Sequence, residues 1–204
     1  KEMIGDPLTR RGFLHSSFSS AAFKTVKDYI QPMMRNLALT LPIFAGLAEQ
    51  KRVSVVAGLV YFVIYLLTAS ASQRSGKVEE KFSGRVQALN YTFIGLAVMV
   101  GIVAVSVGTP VAGVGIGIFV ILYLLENVRR PMTVGYLSNV VEGKTMATGL
   151  SVESQLKTVM VALLAPGFGF MVDKWGLSAA MGALAILTFI IYPFLRLRRQ
   201  VEKP

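Results

Sequence analysis

"VQALNYTFIGLAVMVGIVAVSVGTPVAGVGIGIFVILYLL", residues 86–125, contains no Asp, Glu, Lys, Arg or His. A bilayer's hydrocarbon core is about 30 Å thick and takes roughly 20 helical residues to cross. At about 1.5 Å of rise per residue this run is about twice too long for one crossing. The interruption "VGTP", residues 107–110, supplies a tight turn. The stretch therefore reads as two spans, about 86–107 and 110–131.

The same ruler extends outward in both directions. "VSVVAGLVYFVIYLLTASAS", residues 53–72, is a third uncharged span, and residues 176–195 form another, ended by the basic cluster "RLRRQ". Residues 158–172 are uncharged but short, so this helix is expected to begin near Gly149 and carry Glu153 and Lys157 partway into the membrane. Residues 12–34 make the least hydrophobic span. The expected fold is all-α: a polytopic membrane protein with six transmembrane helices over residues 12–197, preceded by a linker (1–11) and followed by a basic cytoplasmic tail (198–204).

Composition agrees with a membrane bundle: 53% of residues are hydrophobic and only 16% charged. No cysteine is present, which removes disulfides, thiolate metal sites and thiol nucleophiles. His15 is the single histidine, so no His-rich metal centre is expected, and no cofactor either. The net charge of +10 is explained by its placement. Arg10, Arg11, Arg74, Lys77, Lys81, Arg85, Arg129, Arg130, Lys144 and the tail fall on one expected side, against Arg35, Lys51, Arg52 and Lys174 on the other. Cytoplasmic loops carry that excess, so both ends are expected inside and nucleic acid is not an expected partner. The start "KEMIGDPLTRR" lacks a signal peptide's apolar core. Lys1 is not an initiator methionine, as expected of a fragment or a processed piece.

"FKTVKDYIQPMM", residues 23–34, places costly groups within the first span. At about 100° per residue Ser17, Ser20, Lys24, Lys27, Asp28 and Gln31 share one face. Lys24 and Asp28, four apart, are spaced to pair. Two readings stay open: a helix on the membrane surface or a structural ion pair, against a stripe lining a water-filled solute pathway. Pro32 marks a bend or end.

Elsewhere Glu126 with Arg129 or Arg130 is helix-spaced at the inner boundary, as a surface ion pair or a gate. Gly113 and Gly117, with Gly115 between them, suggest close helix packing or a bend. Glu153, Gln155 and Lys157 open the fifth span, where Glu153 and Lys157 are spaced to pair or to face a cavity mouth. Pro166, Gly167 and Gly169 suggest a mid-helix kink, and Trp175 an outer-interface ring. The "GKT" at residues 143–145 lacks the glycine and strand of a phosphate loop. A membrane-embedded hydrolase would have to rest on a Ser20 and Lys24 dyad, a low-specificity pattern.

In order along the chain, "DYIQP" at 28–32, "ASQRSGKVEEKFSGRV" at 71–86, "RRPMTVGYLSNVV" from Arg129, "ATGLSVESQLK" and "APGFGFMVDKWGL" resemble the carboxy-terminal six-helix half of a major facilitator superfamily transporter. The loop around Glu79, Glu80, Gly84 and Arg85 keeps the character but not the spacing of that family's GxxxDRxGRR motif. The resemblance implies secondary active transport of a small solute by alternating access, with an amino-terminal six-helix half as partner and a bacterial cytoplasmic (inner) membrane as location. It directs attention to Lys24, Lys27, Asp28 and Gln31, then Glu153, Gln155 and Lys157, as pathway residues, with Asp28 a candidate for proton or ion coupling. Two lysines against one aspartate hint at an anionic solute. A non-transporting six-span subunit or receptor is the alternative.

Overall fold

The computed structural model describes residues 6–40, 42, 46–107, 112–141 and 143–198, and every regular element among them is helical. The expected turn at 108–110 and the tail beyond 198 lie outside the described residues. Helix α1 (Pro7–Val26) starts well before the expected residue 12. Asp6 caps it: its Oδ2 accepts from the Thr9 amide at 2.8 Å and from the Thr9 hydroxyl at 2.7 Å, with Pro7 in the first turn. A 3-10 turn (Lys27–Tyr29) then leads into α2 (Ile30–Thr40). Pro32 explains the turn, because its ring disfavours the carbonyl position of residue 28, four before it. The bend thus falls before Pro32, not at the end of a span.

After α3 (Glu49–Gln73), the short α4 (Ser75–Lys81) and α5 (Arg85–Ser106), α6 (Ala112–Val140) runs well past residue 131. Pro131 lies inside α6. A second 3-10 turn (Gly143–Thr145) precedes α7 (Met146–Leu195), whose backbone breaks at Gly176, φ 85° and ψ 165°. That conformation belongs to glycine, since a Cβ would be strained against the residue's own backbone. The chain stays helical through Pro166, Gly167 and Gly169, and the one residue of α7 with non-helical backbone is Gly176, at the boundary of the two expected spans.

Among the described residues three helices are long and apolar enough to cross a membrane: Glu49–Gln73, Arg85–Ser106 and the stretch Gly143–Leu195. Only 11% of the apolar window of α3 is buried, against 56% for α5, so α3 is peripheral and α5 internal.

Cross-helix contacts give the helix directions. Ser178 donates to the Ala104 carbonyl at 2.5 Å while Asn90 bonds Leu197, so the second arm of α7 runs antiparallel to α5. Phe13 lies against Gly149 and Ser16 bonds Glu153, so α1 runs parallel to the first arm. Gly12 meets Tyr136 and Phe23 meets Tyr123, so α1 and α6 are antiparallel. Arg35 pairs with Glu49 at 2.7 Å across the α2–α3 connection.

The larger core joins Ile30, Met34, Ile64, Phe93, Phe119 and Met181; a smaller one near the helix ends joins Phe13, Leu89, Met132, Leu137 and Leu197. Close approach is concentrated at Gly12, where a Cβ would lie 2.6 Å from the Tyr136 ring, at Gly115, against the Met33 side chain, and at Gly135, 2.7 Å from the Arg85 guanidinium. Gly113 and Gly117 meet nothing within 4 Å among the described residues, so the packing glycine is the middle one. Buried hydroxyls on apolar helices turn back onto their own backbone, as in Thr92 to Ala88 at 2.8 Å and Thr188 to Leu184 at 2.7 Å.

Candidate functional site

A cavity of about 610 Å³ opens between α1, α3, α6 and the first arm of α7. Its apolar wall includes Phe23, Ile64, Tyr65, Tyr123 and Leu150. Charged side chains reach it from three helices and the 3-10 turn: Lys24 from α1, Lys27 from the turn that follows it, Glu126, Arg129 and Arg130 from α6, Glu153 and Lys157 from α7. Two other hollows of similar size are different. One of about 820 Å³, between α5 and the second arm of α7, has Ser106 as its one polar lining side chain. One of about 580 Å³ lies beside Arg196 at a helix end. Neither brings charges of both signs together.

Within the cavity the carboxylates are held by serines. Ser20 donates to Glu126 Oε1 at 2.6 Å, and Ser16 donates to Glu153 Oε1 at 2.8 Å. Ser17, buried outside the cavity lining, donates instead to the Glu153 backbone carbonyl at 3.1 Å. The cations stand further off: Arg129 Nη1 is 3.9 Å from Glu126 Oε2, and Lys157 Nζ is 3.7 Å from Glu153 Oε2. Those distances are beyond the usual range for N–H···O hydrogen bonds, so these pairs are held by charge alone. Ser20 is engaged by a carboxylate, not by Lys24, so the hydrolase dyad is not assembled here.

Arg129 is the exceptional side chain. It is 3% exposed, and its Nε and Nη2 have no hydrogen-bond partner among the described residues. His15 is buried nearby, in electrostatic contact with Arg129, its ring 4.8 Å from that of Phe93 and its Nε2 also unpartnered. Arg130 is exposed at the rim.

Seven of the ten residues singled out from the sequence line the cavity; Asp28, Gln31 and Gln155 do not. Asp28 pairs with its neighbour Lys27 at 2.8 Å instead of with Lys24. The 3-10 turn is the reason: with about three residues per turn, positions four apart no longer stack. Gln31 and Gln155 are exposed outside the cavity. The wet face of α1 and the start of its 3-10 turn is Ser16, Ser20, Lys24 and Lys27, a spacing of four, four and three. That spacing is visible in the sequence, but taking Ser17 and Asp28 into the stripe shifted it by a residue. No group of three or more His, Asp or Glu residues suited to a metal is found among the described residues.

Trp175 is exposed beside Phe170, with the Lys174 ammonium 5.1 Å from the Trp175 ring and 5.6 Å from that of Phe170. Comparison with known proteins places the chain beside none of them: no family model, no curated protein and no solved structure matches it.

Proposed function

We propose that this chain is the second six-helix bundle of a major facilitator type secondary transporter, moving a small solute by alternating access. The observation that carries the reading is the cavity, in which Glu126, Arg129, Glu153 and Lys157 converge inside an otherwise apolar bundle. Ionisable groups at membrane depth are costly and are tolerated where they face a water-filled path. The directions of α1, α6 and the first arm of α7, and of α5 against the second arm, are those that six crossings require, with the two arms of α7 as the last two. An amino-terminal half would close the open side of the cavity. The basic residues flanking α4 and the carboxy-terminal end support a cytoplasmic position for both ends, in a bacterial inner membrane.

Asp28 stands outside the cavity, so the carboxylates available for proton or ion coupling on this reading are Glu126 and Glu153.

Cysteine probing tests the pathway, because the chain has no cysteine of its own. Single cysteines at Lys24, Thr133 and Ser154 are expected to react with a membrane-impermeant thiol reagent, and one at Phe93, in the core, to stay unreacted. Uniform protection of the three cavity positions in the intact protein would place the polar face against a partner helix and favour the non-transporting subunit.

A further inference from the structure

The proposed pathway leaves one buried group unexplained, the guanidinium of Arg129. Its Nε and Nη2 together form one edge, the edge that grips a carboxylate or phosphate side-on with two parallel hydrogen bonds. Both nitrogens are buried and both are unpartnered among the described residues. The nearest carboxylate does not meet this edge. Glu126 approaches Nη1 instead, at 3.9 Å, while its other oxygen is occupied by Ser20.

The surrounding charge is of one sign in excess. Lys24, Lys27, Arg129, Arg130 and Lys157 line the cavity against Glu126 and Glu153. Lys27 is committed to Asp28, which leaves four cations and two carboxylates. Lys24 makes no ion pair among the described residues. An arginine buried with an unfilled edge is costly, and the cost falls away when an oxyanion fills it. Shielding from bulk water also strengthens the attraction.

We propose that the cavity is an oxyanion site, taking a small solute with a terminal carboxylate or phosphate that docks on the Nε and Nη2 edge of Arg129. This rests on the pathway reading and specifies its solute class. Lys24 attracts the anion at the mouth; Lys157, loosely held by Glu153, supplies the second positive charge. The Glu126 carboxylate serves as the resident counter-ion of the empty site, and the arriving anion replaces its weak hold on the guanidinium. A lysine in place of Arg129 keeps the charge but not the fork, so charge and geometry can be separated.

The test uses the intact protein in detergent, with succinate, inorganic phosphate and sucrose as probes at constant ionic strength, and follows the thermal unfolding midpoint. At millimolar probe concentrations, below those at which excluded solutes stabilise proteins generally, at least one of the two anions is expected to raise it, and sucrose is not. Arg129→Lys should weaken the apparent affinity about tenfold or more, whereas Gln155→Ala, outside the cavity, should leave it unchanged. Should Arg129→Lys not fold, Lys157→Gln is the second variant, expected to weaken the same response.

Stabilisation by sucrose alone overturns the oxyanion assignment and leaves the pathway standing. An absent response to all three probes, with positions 24 and 154 open to thiol reagent, also overturns the assignment alone. The same absence with both positions protected removes the pathway with it. An anion response equal in wild type, Arg129→Lys and Lys157→Gln overturns the assignment as well.

Discussion

Asn90 and Leu197 close a two-bond ring: Asn90 Nδ2 donates to the Leu197 carbonyl at 3.0 Å, and the Leu197 amide donates to Asn90 Oδ1 at 2.9 Å. Both residues are buried. The second turn of α5 is thereby tied to the residues just after α7, where the helix-terminal backbone groups would otherwise lack partners.

Asn90→Ala removes both bonds and strands two buried backbone groups. The expected loss of stability is about 1–3 kcal/mol. Limited proteolysis at Arg196 and Arg198 reads the same event, because release of this segment exposes both sites. An unchanged cleavage rate together with an unchanged unfolding midpoint would contradict the latch.

Gly12→Ala puts a methyl group 2.6 Å from the Tyr136 ring, on the crossing of α1 with α6. Overpacking of this kind costs about 1–3 kcal/mol. Tyr136→Ala in the same chain should relieve the clash, so the two substitutions should couple favourably in a double-mutant cycle of unfolding free energies. Additive costs would mean that the ring moves aside freely.

Gly176 and Gly167 form a controlled pair. Neither has anything within 4 Å of an added Cβ among the described residues, but Gly176 sits at φ 85° and Gly167 is helical. Gly176→Ala is expected to destabilise by about 1–3 kcal/mol through backbone strain alone. Gly167→Ala should be neutral, or stabilising by up to about 1 kcal/mol, from helix propensity. Thermal unfolding of the two variants side by side checks the order. A reversed order would relocate the chain break to the Pro166 to Gly169 region.

These positions also show what the sequence discloses. Hydropathy finds α3, α5 and the arms of α7 because an apolar run of bilayer length has few other uses. It cuts α6 short at 131, because its polar residues end the apolar run although the helix continues and buries Arg129, Met132 and Tyr136. Helical periodicity brought Lys24, Lys27, Glu126, Arg129, Arg130, Glu153 and Lys157 to attention, and all seven line one cavity. It misplaced Asp28 because a constant 100° step ignores the 3-10 turn set by Pro32. The serine partners of the carboxylates were largely hidden: the helix to which each hydroxyl points depends on packing that no local pattern encodes.

The Ser20 bond to Glu126 is the most informative of these partnerships, since it holds a carboxylate away from a buried cation. Ser20→Ala frees Oε1, and the strongest remaining partner is the Arg129 guanidinium, already 3.9 Å from Oε2. The pair should tighten into a hydrogen-bonded ion pair. Ser20→Ala and Arg129→Lys should then depart from additivity by about 0.5–3 kcal/mol, the range for groups in one network. Tightening also occupies the guanidinium, so an oxyanion must compete harder, and the apparent affinity for succinate or phosphate should fall in Ser20→Ala although no cation has been removed. Additive unfolding energies with unchanged anion response would mean that Glu126 keeps its position without the serine, fixed by packing rather than by that hydrogen bond.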